Sequence, residues 1–307
     1  MQPLIVVLGP TGSGKTDLAL SIAEIFDGEI VGCDSVQIYR HFNLGAAKTP
    51  PEERRGIPHH LIDVVNPDQS FTAGDYKSAG RSALADISAL LKLPVVVGGT
   101  GFYLRALLEG LFSAPERDEN LRERLAQRET NRPGFLHRLL RRLDPTTAQR
   151  IHRNDAKKLI RALEVSLLGH KPMSEQLEAG QDRLTGYRVI RIGLAPPRAV
   201  LNQRLDLRLE QMFHCGLLEE VRGILAMGYS RTIKSFESLG YKEALAAVEG
   251  RLSVDEALAA AQLATRQYAK RQMTWFRREP DVVWFEGFGE EPEIRAKTLD
   301  LLKNALP

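Results

Sequence analysis

The residues with the clearest chemistry lie near the beginning of the chain, where they match the phosphate-binding pattern G-x-x-x-x-G-K-[ST]. They are Gly9, Pro10, Thr11, Gly12, Ser13, Gly14, Lys15 and Thr16. Glycines let backbone N–H groups turn toward an anion, the start of the following helix adds partial positive charge, and Lys15 adds a full charge. The Thr16 hydroxyl can act as a ligand for a phosphate-bound Mg²⁺. The pattern predicts a site for a diphosphate or a triphosphate.

Besides the phosphate loop, nucleotide-hydrolysing proteins usually carry an acidic residue at the end of an apolar strand, where it helps to bind magnesium. Here the apolar run at 95–97 ends in Gly98, Gly99 and Thr100, with no acid. The acid that does follow a predicted strand is Asp34, after the run at 29–32. Because the carboxyl ends of parallel strands share one edge of a sheet, we expect Asp34 to lie beside the phosphate loop. From the residues alone it could anchor magnesium or act as a base on an incoming nucleophile.

Short apolar runs alternate with helical segments around these residues. We predict strands at 4–8, 29–32, 61–65, 94–97, 187–194 and 282–285. Helices are expected at 15–26, 73–91, about 198–213, 216–227, 241–249 and 253–274, and at the end of the chain. The strand runs are apolar throughout, which is typical of a parallel sheet covered by helices on both faces. With the phosphate loop, the pattern predicts an α/β, P-loop NTPase-like core.

The α/β pattern is interrupted between 117 and 184, where we predict only helices. Residues 1–116 and 185–307 should therefore form the catalytic core, and 117–184 a small all-helical inserted domain. The chain has a net charge of +3, yet 122–161 holds twelve Lys or Arg against four acids, and 265–278 holds five bases and no acid. Concentrated positive charge is typical of a surface that binds a polyanion, although a solvated helix face has the same composition.

Composition excludes several other classes of protein. The chain is 43% hydrophobic and 26% charged, as in globular proteins, and it has only two cysteines. No apolar run approaches the roughly 18–20 residues that cross a bilayer. We therefore expect a cytoplasmic protein with no membrane association, and, without heptads, a monomer. The neighbouring His59 and His60 should point opposite ways in an extended segment, so we do not expect them to share a metal.

Further motifs occur in the order and spacing of a known family. They are Asp34-Ser35-Val36-Gln37-Ile38-Tyr39, Gly56-Ile57-Pro58-His59-His60-Leu61, Gly98-Gly99-Thr100-Gly101-Phe102-Tyr103-Leu104, Asn154-Asp155, Arg161-Ala162-Leu163-Glu164, Gly240-Tyr241-Lys242-Glu243 and Thr265-Arg266-Gln267-Tyr268-Ala269-Lys270-Arg271-Gln272. With these motifs the chain, from about residue 4 to 278, closely resembles the bacterial tRNA dimethylallyltransferases, also called tRNA isopentenyltransferases.

This resemblance implies a reaction and a set of catalytic roles. The dimethylallyl group of dimethylallyl diphosphate would pass to N6 of adenine 37, next to the anticodon of tRNAs that read codons beginning with U. Asp34 would accept the N6 proton as general base, and Thr100 would donate to the oxygen that bridges C1 and the diphosphate. Lys15 and the loop amides would hold the phosphates, Arg208 would add charge, and Mg²⁺ would bind through Thr16 and phosphate oxygens.

The resemblance also implies contacts with the anticodon stem-loop of tRNA. In the core these would come from Asp34, Ser35, Val36, Gln37, Thr100, Glu237, Ser238, Leu239, Gly240, Tyr241 and Lys242. In the insertion they would come from Arg122, Lys158, Leu159, Ile160, Arg161 and Ala162. Arg161 and Tyr241 are the residues expected to stack on bases or bind their edges. Lys158 and the stretch at 237–239 depart from the commoner family pattern.

Three other functions are compatible with parts of the sequence. A P-loop small-molecule kinase is disfavoured by the missing acidic residue at the end of the apolar run at 95–97. An adenylate isopentenyltransferase acting on free nucleotides has no need of a basic insertion. A P-loop RNA-binding protein without catalysis would leave Asp34 and Thr100 dispensable.

Overall fold

Two structural units make up the computed structural model, which describes residues 1–112, 115–178 and 182–306. One unit comprises Met1–Leu107 and Thr185–Pro307, and the other comprises Leu108–Leu184. At the two ends of the second unit, the Leu184 N–H donates to the Leu108 carbonyl over 2.8 Å.

A parallel six-stranded sheet forms the centre of the first unit, in the order β3-β2-β4-β1-β5-β6. Its strands are β1 (Gln2–Leu8), β2 (Gly28–Gly32), β3 (His59–His60), β4 (Leu93–Val97), β5 (Tyr187–Leu194) and β6 (Val282–Phe285). β1, β2 and β4 are buried along most of their length, as their continuous apolar runs predict. The predicted α/β class and five of the predicted strands are thereby confirmed.

The predicted strand at 61–65 is wrong. The third strand is instead the short His59–His60 pair, which is parallel to β2. Leu61 and Asp63 then take left-handed backbone conformations, with φ of 63° and 57°, and these interrupt an extended path. Beyond them the chain makes only an isolated bridge between Tyr39 and Val65.

Helices cover the sheet and follow the predicted segments closely. They are α1 (Lys15–Ile25), α2 (Ala73–Ala89) and α3 (Gly101–Leu108), then, after the helices of the second unit, α9 (Arg198–His214), α10 (Leu217–Ala226), α11 (Tyr241–Val248), α12 (Val254–Phe276) and α13 (Pro292–Ala305). A capping box begins α2, since Thr72 and Asp75 exchange side-chain to backbone hydrogen bonds. In the described parts of the chain, no helix is both long enough and apolar enough to span a bilayer.

The second unit is helical in all the residues for which the structure gives an ordered element. Its helices are α4 (Glu119–Asn131), α5 (Phe135–Leu143), α6 (Pro145–Arg150), α7 (Ala156–Leu168) and α8 (Met173–Glu178). Leucines at 125, 136, 140, 159 and 163 form its core. The buried Asp144 caps α6 through the Thr147 N–H and also accepts from the Ser174 N–H of α8, so one carboxylate ties two helices together.

Candidate active site

A cavity of about 1300 Å³ opens in the first unit where β1, β2 and β4 end. The phosphate loop lines one side of it, and Asp34, Gln37, Arg208 and Tyr268 are among the other lining residues. Parallel strands place their carboxyl ends at one edge, which is why residues far apart in sequence meet there.

The phosphate loop connects β1 to α1 with the geometry that its glycines allow. Gly12 and Gly14 have φ of 77° and 79°, values that residues with a side chain rarely adopt. The Lys15 ammonium donates to the Pro10 carbonyl over 2.7 Å, so it lies across the loop. The pKa of Lys15 is lowered to about 8, mainly by burial; the charge of Asp34 opposes this shift and the charge of Arg208 contributes to it. The loop therefore holds a poorly solvated cation that an anion would stabilise.

Asp34 lies directly after β2 and lines the cavity. Its Oδ1 accepts from the backbone N–H groups of Val36 over 2.8 Å and Gln37 over 3.3 Å, which fixes the turn of the chain. Among the hydrogen bonds of the described residues, none uses the other oxygen, Oδ2. One carboxylate oxygen thus shapes the loop, and the second is free to accept a proton.

Thr100 follows β4 and is joined to the Asp34 loop. Its Oγ1 accepts from the Ser35 N–H over 3.1 Å, and its own N–H donates to the Cys33 carbonyl over 3.1 Å. This approach requires glycine at position 98, where a Cβ would overlap the Cys33 carbonyl. Glycines rather than an acid follow β4, as the sequence analysis expected.

Arg208 supplies a second cation from α9. Burial lowers the pKa of Arg208, as does the neighbouring charge of Arg204, whereas Asp34 raises it. Arg204 also lines the cavity and forms an ion pair with Glu290. The structure therefore brings the predicted Lys15, Asp34, Thr16 and Arg208 to one cavity, with Thr100 hydrogen-bonded to the loop that carries Asp34.

Two residues of the site, Tyr268 and Gln272 of α12, lie in one of the family motifs but were not among the predicted site residues. The Gln272 side chain accepts from the Thr11 N–H over 2.8 Å and donates to the Gly99 carbonyl over 2.8 Å. Tyr268 lines the cavity, and burial raises the pKa of Tyr268 to about 12, so it stays protonated at neutral pH. The signal was their spacing of four residues, which places them on one face of the helix.

Of the expected tRNA contacts in the first unit, Tyr241 needs a correction. Its side chain is fully buried beside Phe42, and its hydroxyl donates to Glu220 over 2.5 Å, so the ring is not open to a base. Glu237 and Lys242 are exposed, Ser238 and Leu239 are half-buried, and Gly240 is buried. The Gln37 amide, which lines the cavity, donates to the carbonyls of Ala46 and Ala47.

The expected tRNA contacts in the second unit also include both buried and exposed residues. Leu159 and Ala162 are buried in its core and Ile160 is half-buried, so Leu159 and Ala162 offer no side chain to RNA. Lys158 is exposed and pairs with Asp155.

Arg122 and Arg161 both bind the buried carboxylate of Glu164, over 3.0 and 2.7 Å, while their own side chains remain 24% and 32% exposed. Glu164 therefore holds the two guanidinium groups side by side at the surface of the unit.

The basic stretch at 265–278 separates into two parts. Arg266 pairs with Asp206 over 2.5 Å. Lys270, Arg271 and Arg278 instead line a shallow surface cavity of about 360 Å³, which we call the α12 basic face. Its residues are exposed and carry no neighbouring acid within the stretch.

The two histidines have separate partners, as expected. His59 contacts the Ile57 carbonyl through Nδ1, and His60 contacts Glu29 through Nε2. Throughout the described residues, no group of three or more His, Cys, Asp or Glu side chains could hold a metal.

Comparisons with known proteins place these features in a family. The sequence pattern of the family described as IPP transferase matches residues 37–279. The chain is 58% identical to the tRNA dimethylallyltransferase of Solibacter usitatus over 97% of both chains, and 52% identical to that of Koribacter versatilis over 98% of both.

Solved structures agree. The full-length tRNA isopentenylpyrophosphate transferase of Bacillus halodurans, 32% identical, matches with a TM-score of 0.74 over 99% of this chain and 96% of that one. A eukaryotic dimethylallyltransferase acting on tRNA, 26% identical, matches with a TM-score of 0.84 over 99% of this chain and 80% of that one.

Proposed function

The chain belongs to the IPP transferase family and is an enzyme that prenylates tRNA, and we propose how its cavity performs this reaction and on which base. The donor is dimethylallyl diphosphate, and the acceptor is N6 of adenine 37, beside the anticodon of tRNAs that read codons beginning with U. The observation that supports this most directly is the meeting of the phosphate loop, Asp34 and the Thr100 loop at one edge of the sheet.

The phosphate loop and Arg208 bind the diphosphate and stabilise it as it leaves. An allylic C1 tolerates positive charge by resonance, so the main barrier lies in the charge that develops on the departing oxygens. Loop amides, the Lys15 ammonium and the Arg208 guanidinium are fixed beforehand around one cavity, and such preorganised charges act without reorganisation cost. Thr100 adds a hydroxyl donor for the oxygen that bridges C1 and the diphosphate.

Asp34 acts on the amine. The lone pair of adenine N6 is delocalised into the ring, so N6 becomes a good nucleophile only as it loses a proton. As the C1–N6 bond forms and the C1–O bond breaks, that proton passes to the Asp34 oxygen that the loop does not use. The balanced products are N6-dimethylallyladenosine and diphosphate.

Mg²⁺ fits the site through Thr16. The Thr16 hydroxyl lines the cavity, and in the described chain no internal hydrogen bond uses it. Mg²⁺ prefers oxygen ligands such as this hydroxyl, and oxygens of the bound diphosphate would supply further ligands. When bound, the ion would neutralise charge on the leaving diphosphate, while Lys15 and the loop amides position the phosphates.

Each unit offers its own positively charged surface for the anticodon stem-loop. In the first unit, Gln37 lines the cavity that would receive the extruded adenine, Ser35 lies between the lining residues Asp34 and Gln37, and the α12 basic face is suited to phosphates. In the second unit, the suitable side chains are Arg122, Arg161 and Lys158. Extruding an unpaired loop base costs only a few kcal/mol.

We further propose that the enzyme is a cytoplasmic monomer. Its two cysteines are unpaired, as in proteins of reducing compartments, and its substrate tRNA is used in the cytoplasm. Light scattering of the free protein should give the mass of a single chain. The mass of a dimer would contradict this part of the proposal.

A labelling experiment tests the proposed function. The protein would be incubated with Mg²⁺, labelled dimethylallyl diphosphate and either unmodified tRNA or AMP, and the products digested to nucleosides. We expect labelled N6-dimethylallyladenosine from the tRNA, and none from a matched tRNA with guanine at position 37. Label in AMP alone would show an enzyme of free nucleotides, and label in neither acceptor would overturn both.

A further inference from the structure

Gln272 of α12 lies between two loops that the reaction needs in a fixed relation. We propose that Gln272 is a positioning residue that sets the separation between the diphosphate loop and the Thr100 loop. This inference rests on the proposed function, because it explains how the leaving group and the Thr100 donor are held in register. Gln272 acts through these loops and is not itself assigned a contact with the substrate.

The Gln272 amide makes one hydrogen bond to each loop. Its Oε1 accepts from the N–H of Thr11, within the diphosphate loop, over 2.8 Å. Its Nε2 donates to the carbonyl of Gly99, next to Thr100, over 2.8 Å. The side chain is only 5% exposed, so water competes little for either bond.

Glutamine has both the groups and the length that this bridge requires. Thr11 presents a donor and Gly99 presents an acceptor, so the bridging side chain must accept at one end and donate at the other. Glutamate could accept from Thr11 but could not donate to Gly99, and methionine could do neither. The fit is close, since a Cβ added to Gly99 would overlap the Gln272 amide nitrogen.

The same helix also lines the cavity. Tyr268 lies one turn before Gln272, and both side chains line the cavity with the diphosphate loop. Through Gln272, α12 contacts both the diphosphate loop and the Gly99 carbonyl. A rigid helix that holds both loops keeps the Thr100 donor aligned with the oxygen that leaves, where errors of about 1 Å cost about 10²-fold in rate.

Kinetics of Gln272→Met and Gln272→Glu test the positioning role. Gln262→Met is the matched control, because Gln262 is on the same helix and its amide also makes two hydrogen bonds, to Asp206 and Glu210 of α9. We expect Gln272→Met to lower kcat by about 10²-fold while KM for tRNA changes less than about threefold. Gln262→Met should keep kcat within about threefold of the wild type. A wild-type kcat in folded Gln272→Met would overturn the proposal.

Amide hydrogen exchange at Thr11 tests the bridge without any substrate. In the wild type and in Gln262→Met the Thr11 N–H should be protected, and in Gln272→Met it should exchange at least about tenfold faster. Equal exchange in the wild type and Gln272→Met would overturn the bridge whether or not transferase activity is found. An inactive wild type with the expected exchange pattern would instead overturn the proposed function alone.

Gln272→Glu covers the case in which Gln272→Met does not fold. Glutamate keeps the acceptor for Thr11 and loses the donor to Gly99, so the Thr11 amide should stay protected while kcat falls by at least about tenfold. Wild-type kcat in Gln272→Glu would show that the Gly99 bond has no positioning role.

Discussion

The backbone N–H of Ser35 donates to the hydroxyl oxygen of Thr100 over 3.1 Å and so joins the loops that follow β2 and β4. The Thr100 hydroxyl in turn donates to the Ser35 Oγ over 3.4 Å, a long hydrogen bond that it can exchange for one to a leaving oxygen. Asp34 is the residue before Ser35, so the bond also fixes the distance between the donor to the leaving group and the acceptor for the amine proton.

Removing the Thr100 hydroxyl should therefore affect both chemistry and loop order. We expect Thr100→Val to lower kcat by about 10²-fold or more, the scale observed for loss of one transition-state donor. The Ser35 N–H would lose its acceptor, at a cost of about 1–3 kcal/mol in the free energy of unfolding. Thr100→Ser keeps the hydroxyl and should stay within about tenfold of the wild type. Single-turnover rates measure the effect, and near-normal rates in Thr100→Val would remove Thr100 from the mechanism.

Asp34 can be tested with a substitution that spares its structural role. Asp34→Asn keeps an oxygen for the N–H groups of Val36 and Gln37, yet it cannot accept a proton as a base. We expect turnover to fall by about 10²-fold or more, with diphosphate affinity and unfolding temperature close to those of the wild type. Asp34→Ala should lose activity and also stability. If Asp34→Asn turns over normally, Asp34 is not the base.

The sequence predicted those parts of the structure that depend on local pattern. Apolar runs gave five of the six strands, and glycine spacing gave the phosphate loop. The strand predicted at 61–65 was wrong, because its apolar residues are typical of a strand but Leu61 and Asp63 take left-handed backbone conformations that bend the chain.

Contacts between distant segments could not be predicted in the same way. Nothing local to Gln272 shows that its amide meets Thr11 and Gly99, 261 and 173 residues away. The burial of Tyr241 likewise depends on packing against Phe42 and on its bond to Glu220. Motif membership identified these positions, but only the fold separates a buried support from an exposed contact.

Diphosphate binding should weaken at alkaline pH because of Lys15. In the free protein burial lowers the pKa of Lys15 to about 8, and a bound anion favours the charged form and so raises that pKa. Above pH 8 binding must therefore take up a proton, and affinity should fall by up to about tenfold per pH unit.

Lys15→Arg is the control, because arginine stays charged and the ligand's own ionisation is common to both proteins. Calorimetric titration with inorganic diphosphate from pH 7 to 10 measures the difference. Parallel curves for the two proteins would contradict the lowered Lys15 pKa.

Lowering the pH should destabilise the second unit by protonating Glu164. Burial alone would raise the pKa of Glu164, but hydrogen bonds from Arg161 and from the Asp118 N–H, with the charge of Arg122, hold it below the ordinary 4.5. A carboxyl whose folded pKa is lowered stabilises the fold above its unfolded pKa, and that stability is lost as pH falls through the folded value.

Glu164→Gln should therefore lower the stability of this unit by about 3–5 kcal/mol at pH 7 and by less below pH 4.5. Hydrogen exchange of the α7 amides, compared between the wild type and Glu164→Gln at each pH, gives the difference in stability directly. A difference that does not change between pH 7 and 3.5 would contradict the stabilising role of the ionised carboxylate.

Arg122 and Arg161 should contribute to tRNA affinity through phosphate charge. Arg122→Gln and Arg161→Gln each leave the other arginine on Glu164, whereas a charge reversal would place two carboxylates together. If each guanidinium neutralises one phosphate, either variant should reduce the slope of log affinity against log salt by about 0.7–0.9. Turnover at saturating tRNA should stay within about threefold of the wild type. Lys297→Gln, which removes an exposed charge on α13, is the matched control and should leave the slope unchanged. Filter binding across a salt series measures the slope, and wild-type slopes in both arginine variants would exclude this pair from the tRNA surface.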